Sequence, residues 1–363
     1  MQRAIELARG VRRGTAPNPW VGAVVVRDGA VVGEGATSPP GGPHAEVHAL
    51  RAAGGAAAGA TVYVTLEPCS HHGRTPPCAE GLVDAGVARV VVAMEDPDPR
   101  VAGRGIAALR DAGVRVDVGV GAAEAARLLA PYAHHRRTGR AYAWLKTATS
   151  LDGRVAAADG TSRWITGEAA RADGHRLRAD SQAVIVGAGT ALADRPALTA
   201  RDVDPLPPHQ PTRVLLDARG SVPADGPLFD TTLAPTLVVT TERASASALD
   251  GWRAAGAKVE VVEPGPGGGV DLAATLALLG ANGVLQALVE GGPQVHGALV
   301  DAGLADSLSA YVAGTLLGPA GLASFAFPGP ATLAAATRWE LVDVTKLGAD
   351  ARLDYVARRD EVT

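Results

Sequence analysis

Short apolar runs separated by helix-length segments recur along most of this chain, and that alternation restricts it to layered α/β architecture. In the first 130 residues the strand-like runs are Val21–Val26 (VGAVVV), Thr61–Leu66 (TVYVTL), Arg89–Met94 (RVVVAM) and Val114–Val118. Arg27-Asp28-Gly29 between Val26 and the run Val31–Gly33 predicts a hairpin. Helices are expected at His44–Ala53, from Pro77, and near Gly105–Ala112. Ala123–Tyr132 reads as a closing helix, and the charged stretch His134–Arg140 (HHRRTGR) as a linker. Strand patterns resume at Ala141–Lys146, Gln182–Val186, Arg213–Asp217, Thr236–Thr240, Lys258–Val262 and Val284–Val289. With 363 residues, about twice the ~150 of a typical domain, the chain divides into expected domains at 1–140 and 141–363. No repeat relates the halves, and Glu263–Gly269 (EPGPGGG) reads as a surface loop, not a phosphate cradle.

Composition removes several classes. The 47% of hydrophobic residues suffices for two cores. The 45 glycines and 25 prolines stay below the roughly 25–30% of low-complexity chains. A net charge of −4 argues against a nucleic-acid coat protein. No run approaches the ~18 apolar residues of a membrane span. The start lacks a signal-peptide core, so a cytoplasmic protein with reduced thiols is expected. Arginine supplies nearly all the positive charge, since Lys146, Lys258 and Lys346 are the only lysines. A lysine in a pocket would therefore be noteworthy.

The two cysteines carry more information in their surroundings than in their number. His44-Ala45-Glu46 opens a predicted helix, Cys69 follows a strand, and Cys78 opens another helix. One imidazole and two thiolates give zinc three ligands and leave its fourth position open to water. Water so held has a pKa near ~7, which makes hydroxide available at neutral pH. Glu46 is then the proton carrier, taking the water proton and handing it to a departing amine. The alternatives are buried inert cysteines, a structural zinc, or chelation by His44 and His48, four residues apart. A His-x-Glu followed by Pro-Cys and a further cysteine matches the zinc nucleoside and nucleobase deaminases, and His48 is then an orienting or packing residue.

In the second half, Gly187-Ala-Gly189-Thr190 follows a strand but lacks the third glycine and the later acidic residue of a dinucleotide fingerprint. Glu290-Gly-Gly-Pro293 is a strand end leading into a helix, where exposed N–H groups suit a phosphate. Either could be an ordinary turn.

Most zinc deaminases carry Pro-Cys-x-x-Cys, whereas here eight residues separate Cys69 from Cys78. With Ala16-Pro-Asn-Pro-Trp-Val-Gly22, Pro43-His-Ala-Glu-Val-His48, Glu67-Pro-Cys-Ser-His-His-Gly-Arg-Thr-Pro-Pro-Cys78 and Val101-Ala-Gly-Arg-Gly105, the chain resembles the bacterial bifunctional riboflavin-biosynthesis deaminase/reductases. Lys146–Arg154 (KTATSLDGR), Ser162-Arg-Trp-Ile-Thr166, Gly189-Thr-Ala-Leu-Ala-Asp194, Pro196-Ala-Leu-Thr199 and Glu290-Gly-Gly-Pro293 extend the resemblance over nearly the whole chain.

The resemblance implies a cytidine-deaminase-like α/β/α domain followed by a dihydrofolate-reductase-like α/β domain. It implies zinc on His44, Cys69 and Cys78, and deamination of 2,5-diamino-6-ribosylamino-4(3H)-pyrimidinone 5′-phosphate through Glu46. Asn18 would hold the pyrimidine, and His71 and Arg74 the ribose phosphate, as a guanidinium beside a donor suits a dianion. NADPH would then reduce the ribosyl group to ribityl, with hydride going to C1′ of the opened sugar. Lys146 and Asp194 would polarise the sugar and manage its proton. NADPH contacts would be Ala148, Trp164, Thr190 and Asp194, together with Gly292, Pro293, Gln294, Val295, His296 and Gly297. Substrate contacts would be Ser162, Arg178, Leu198, Arg201 and Glu290. Asp98, Arg195 and Ala218 depart from residues common in relatives, and Asp98, if it faces the ligand, adds a negative charge near a phosphate. A homo-oligomer, dimer or higher, acting on a small phosphorylated pyrimidine, apart from membranes and nucleic acid, is expected.

Two competing functions are a nucleic-acid deaminase and a deaminase whose second half merely binds nucleotide. The first calls for a short Cys-x-x-Cys, a basic groove and aromatic platforms, against which stand the long loop, the negative charge and 4% aromatic residues. Intact ligands and Glu46 argue for working deaminase chemistry in either case.

Overall fold

Asp28 and Gly29 both adopt positive φ, 51° and 80°, the combination that a two-residue hairpin turn needs. They fold β1 (Gly22–Arg27) back onto β2 (Ala30–Ala36) in the first of two units into which the chain separates, Met1–Gly139 and Arg140–Thr363. The computed structural model describes residues 1–70 and 77–358. In the first unit β3 (Thr61–Val64) runs antiparallel to β1, and β4 (Arg89–Val92) and β5 (Arg115–Val118) continue parallel to it. The sheet order is β2-β1-β3-β4-β5. Its α-helices among the described residues are α1 (Gln2–Gly10), α2 (Ala45–Ala53), α3 (Cys78–Asp84), α4 (Arg104–Asp111) and α5 (Ala122–Thr138).

Two close approaches set the positions of the functional helices. A Cβ on Gly35 of β2 would lie 2.3 Å from the Ala45 carbonyl oxygen, so glycine is what lets α2 start against the sheet. A Cβ on Gly105 would meet the Pro68 carbonyl oxygen at 1.9 Å, which ties the first turn of α4 to the loop carrying Cys69.

The expected linker at His134–Arg140 is corrected by the structure. Its residues through Thr138 are the last turns of α5, which end only at Gly139 with φ 71°. The buried stripe of Ala125, Leu128, Leu129, Tyr132 and Ala133 carries the helix past Pro131. Arg136 and Arg137 fall where the negative end of the helix dipole favours cations, and a left-handed glycine then stops it. Charge density here marks a helix end and not a break in structure.

The second unit is built on a nine-stranded sheet. Its strands are β6 (Tyr142–Ser150), β8 (Ala183–Gly187), β9 (Thr212–Leu216), β10 (Thr236–Thr240), β11 (Lys258–Val261), β12 (Gln286–Val289), β13 (Ser307–Ala313), β15 (Trp339–Leu347) and β16 (Asp350–Ala357). The short β7 (Arg154–Ala156) and β14 (Leu322–Ala323) pair separately. The helices are α6 (Glu168–Ala179), α7 (Ala188–Asp194), α8 (Ala246–Ala254), α9 (Leu272–Ala281) and α10 (Pro293–Asp301).

Strand order is β11-β10-β9-β8-β12-β6-β13-β16-β15, parallel as far as β13 and antiparallel beyond it. Alternation of side chains sends Ile185, Val214, Val239 and Val289 to one face with Leu276, Leu279 and Leu299 of α9 and α10. Val184, Leu215, Val238 and Leu288 go to the other face with Leu177, Ala191 and Trp252 of α6, α7 and α8. Burying each such side chain stabilises the fold by roughly 1.5–3 kcal/mol, which makes this α/β/α sandwich the frame for everything at the strand ends. The sequence carries no strand signal at β15 and β16, which mix apolar residues with Asp343, Lys346, Arg352 and Asp354 and are only partly buried, nor at β13, where Ser307 and Ser309 interrupt the apolar residues.

Candidate active sites

In the first unit three elements converge on one point. His44 is the N-cap of α2, Cys69 lies in the loop after β3, and Cys78 is the first residue of α3. His44 Nδ1 lies 3.2 Å from Cys78 Sγ and 3.6 Å from Cys69 Sγ, and the three ligand atoms all fall within 4.8 Å of one another. Tetrahedral zinc at its usual Zn–S and Zn–N distances places such atoms roughly 3.5–3.8 Å apart, so the residues fit that ion. The Cys78 backbone N–H also donates to Cys69 Sγ at 3.3 Å. Hydrogen bonds from Cys78 and His44 draw the Cys69 thiol down to about 4, whereas Cys78 is pushed up by the same pairing and by burial. The His44 imidazole is raised, chiefly by its hydrogen bond to Cys69.

Glu46 stands in the first turn of α2, 4% exposed. Burial, and then the Cys69 charge, pushes its carboxyl up to about 7. His48 hydrogen-bonds Ser38 Oγ at 2.7 Å and is not in the ligand group, in keeping with an orienting or packing role. Asn18 lies half-buried in the turn that its backbone closes onto Thr15, beside the fully buried Trp20. His71 and Arg74 lie outside the described residues.

Asp98 does not present an unpaired charge. Its carboxylate receives Arg100 Nη2 at 2.6 Å, Nε at 3.0 Å and the Arg100 backbone N–H at 3.0 Å, and the carboxyl is held down at about 2 by that guanidinium. Sequence reasoning gave Glu67 no role. Its buried carboxylate accepts four backbone N–H groups, from Asp96, Gly103, Gly105 and Ile106, at 2.8–3.2 Å. Glu67 thereby anchors the segment 96–106 and the start of α4 two residues from Cys69. No pattern of residue types announces such a clamp, because its partners are backbone atoms.

In the second unit a cavity of about 2490 Å³ opens where β8, β9 and β12 end. Small-molecule sites commonly measure about 300–1,000 Å³, so this one has room for a dinucleotide and a second ligand. Carboxyl ends of parallel strands are where such sheets bind ligands. The cavity is lined by Lys146, Ala148, Ser162, Trp164, Arg178, Thr190, Asp194, Leu198, Arg201, Glu290 and residues 292–296. Gly297 alone among the expected contacts is not in the lining. Its Cα packs against the backbone of Ala326, where a Cβ would come 2.2 Å from the carbonyl oxygen.

The two glycine turns that looked ambiguous in sequence lie side by side. A Cβ on Gly292 would touch Thr190 Oγ1 at 3.0 Å, and one on Gly187 would meet Val295 at 2.8 Å. The segment 263–269, expected to be a surface loop, contains a short 3-10 turn at Pro266–Gly268, and Pro266–Gly269 line the cavity.

Charge in the cavity is organised by one pair. Arg178 Nε and Nη2 donate to the two Glu290 carboxylate oxygens at 2.5 and 2.8 Å, and Nη1 to the Thr199 carbonyl at 3.2 Å. Burial alone would raise Glu290, but Arg178 and Lys146 overcome it and hold its carboxyl at about 2. The Lys146 ammonium lies 5.5 Å from the centre of the Tyr311 ring, and burial lowers its pKa from the ordinary lysine value. Tyr311 in turn donates to buried Asp173 at 2.6 Å, which also pairs with Arg352 and Arg176. Trp164 is 69% exposed beneath the Arg171 guanidinium, 4.6 Å from its ring centre. The Asp194 side chain is also exposed, with Arg163 donating to its carbonyl at 2.8 Å. Arg195 pairs with Asp225 at 3.0 Å, and the Ala218 carbonyl accepts from Thr241. Leu198, 2% exposed, points its side chain into the core, so what it offers a ligand is backbone.

Comparison with known proteins covers both halves. The cytidine and deoxycytidylate deaminase zinc-binding region matches residues 1–94, and the RibD C-terminal domain matches residues 141–353. The riboflavin biosynthesis protein RibD of Escherichia coli (strain K12) is 43% identical over 368 residues, covering 98% of each chain. The solved structure of Acinetobacter baumannii RibD superposes with a TM-score of 0.86 at 41% identity, over 99% of this chain and 98% of that one. The diaminohydroxyphosphoribosylaminopyrimidine deaminase/5-amino-6-(5-phosphoribosylamino)uracil reductase of Thermotoga maritima does so with a TM-score of 0.85 at 32% identity, covering 99% and 97%. No helix among the described residues is long and apolar enough to cross a membrane.

Proposed function

This chain belongs to the RibD family, the bifunctional deaminase/reductases of riboflavin biosynthesis, and from that premise we propose how its own residues divide the two reactions. The first domain, 1–140, deaminates 2,5-diamino-6-ribosylamino-4(3H)-pyrimidinone 5′-phosphate. The second, 141–363, reduces the ribosyl group of the resulting 5-amino-6-(5-phosphoribosylamino)uracil to ribityl. The observation that carries this reading is the convergence of His44, Cys69 and Cys78 beside a buried Glu46.

Zinc on those three residues, when bound, supplies a Lewis acid at neutral pH. Glu46, with its carboxyl near 7, can take the proton of the attacking water and return it to the leaving nitrogen. The C–N bond breaks, a carbonyl replaces it and ammonia departs. Asn18 holds the pyrimidine, and His71 and Arg74 meet the ribose phosphate. With Asp98 neutralised by Arg100, a phosphate in this unit meets no additional unpaired charge from that side chain.

NADPH, when bound, supplies the hydride. Its contacts are Ala148, Trp164, Thr190, Asp194 and the turn and helix start at 292–296, where two adjacent strand-to-helix turns favour a pyrophosphate. Ser162, Arg178, Leu198, Arg201 and Glu290 receive the substrate. Arg178 spends three N–H groups on Glu290 and Thr199, which fixes the fork while leaving two donors for an oxyanion. Lys146 and Asp194 polarise the opened sugar and manage its proton. The protein works on small phosphorylated pyrimidines in the cytoplasm as a homo-oligomer, and a net charge of −4 supplies no general attraction to nucleic acid.

A two-stage assay with metal analysis tests the reading. Diaminopyrimidinone phosphate without nucleotide should release ammonia, and NADPH added afterwards should be oxidised. Zinc without ammonia release would overturn the substrate assignment, and ammonia without NADPH oxidation would overturn the second activity.

A further inference from the structure

The segment that brings Arg201 to the cavity has no secondary structure of its own. Leu198 sits at φ 54° and Asp202 at φ 57°, in the left-handed region that few non-glycine residues occupy, so the backbone between them must be held by its surroundings. It is held by side chains. The Thr199 carbonyl accepts from Arg178 Nη1 at 3.2 Å and lies 3.1 Å from His175 Nδ1, both on α6. The two polar backbone atoms of Ala200 go to one side chain: Ala200 N–H donates to Gln210 Oε1 at 2.8 Å, and Gln210 Nε2 donates to the Ala200 carbonyl at 2.8 Å. The amide of Gln210 thus imitates a strand partner. It closes the loop 201–209 at its base, just before β9 begins. Arg201, exposed over 58% of its side chain, has a 3.9 Å contact with Asp202 and lines the cavity.

We infer that Gln210, which does not line the cavity, is a positioning residue for reduction. It clamps the Leu198–Arg201 segment so that the Arg201 guanidinium and the Leu198 backbone are presented to the phosphorylated substrate, an inference that rests on the assignment of those residues above. Only a group carrying both a donor and an acceptor at this reach makes the paired contact. A reversed amide would set donor against donor and acceptor against carbonyl.

The test uses the full-length zinc enzyme and steady-state reduction of 5-amino-6-(5-phosphoribosylamino)uracil. Gln210→Ala should raise KM for this substrate tenfold or more with kcat changed less than threefold, leaving NADPH affinity and deamination as they were. Gln210→Glu keeps the acceptor but loses the donor, so its KM should fall between the two. In an Arg201→Gln background, Gln210→Ala should add little, because residues acting through one another are not additive. Parallel losses of kcat, NADPH affinity and melting temperature without a rise in KM would mean a merely structural role and overturn the inference. Additive effects of the two substitutions would overturn it as well. If Arg201→Gln raises KM and Gln210→Ala does not, the inference falls while the substrate assignment stands. If Arg201→Gln leaves KM unchanged, both fall.

Discussion

The two sites are made of different materials. The metal cluster takes all its ligands from residues 44–78, each at the start of a helix or just past a strand, and each of a type with few other uses in such a place. The cavity draws on residues 146–326, and its shape depends on glycine turns and on side chains that hold backbone. One site is therefore specified by chemistry and the other by shape. Substitution should expose the difference, producing all-or-none losses in the first domain and graded ones in the second.

The largest effect is expected at Glu46. If it carries the proton in both directions, Glu46→Ala should lower deamination by about 10⁴-fold, the upper end for one acid–base residue, with zinc content and reduction of pre-deaminated substrate unchanged. Loss of zinc from this variant would make Glu46 a ligand and break the comparison at its root. If Lys146 and Asp194 share the handling of the sugar proton, Lys146→Met should cost reduction about 10²-fold, less than the loss at Glu46, while ammonia release continues. Equal losses in both activities would point to a folding defect instead.

The Arg178–Glu290 pair gives the third expectation, now on stability. Both side chains are largely buried, 17% and 12% exposed, so Glu290→Gln strands a guanidinium and should destabilise the second domain by about 3–5 kcal/mol. Calorimetry on the full chain should show a transition lowered by roughly 10 °C. The pH dependence has a definite sign. The Glu290 carboxyl is lower folded, at about 2, than unfolded, near the model-peptide value of about 4.3, so its contribution is complete above pH ~4.5 and disappears as pH falls towards 2. That slope, of order 3 kcal/mol in total, should be absent from Glu290→Gln. A slope that survives in the variant would assign the acid sensitivity to other carboxylates, of which Asp173, lowered by Tyr311, Arg176 and Arg352 against its burial, is the next candidate.

Much of this was legible in the sequence, and the reasons differ by site. The hairpin at Asp28-Gly29, the alternation of strands and helices and the His44–Cys69–Cys78 group follow from local pattern and ligand chemistry, and the structure agrees with the reading. Gly187 and Gly292 could not be told from ordinary turns because their significance lies in their being neighbours, which is a property of sheet order. Glu67 and Gln210 were invisible for a related reason: their partners are backbone groups, which every residue possesses. At His134–Thr138 polarity is a poor guide, because charge at a helix end resembles the charge of a linker. Gly297 shares the motif of its neighbours but lies outside the cavity lining, packed against the Ala326 backbone, a contact that position in the motif does not announce.

The smallest expected effect sharpens the comparison from the other side. Asp98 looked in sequence like an unwelcome charge beside a phosphate, and replacing it would then strengthen substrate binding. Its carboxylate is instead fully engaged by Arg100, an arginine 76% exposed whose pairing with it is worth at most about 1 kcal/mol after solvent screening. Asp98→Asn keeps an acceptor for the Arg100 backbone N–H and removes a charge that the substrate does not meet unpaired. Deaminase KM should shift less than twofold and the melting temperature by only a few degrees, both measurable on the purified full-length chain. A fivefold fall in KM would mean that Asp98 does face the phosphate. In that case the first domain, too, would be tuned by long-range placement, and its contrast with the second would narrow to the three ligands and Glu46.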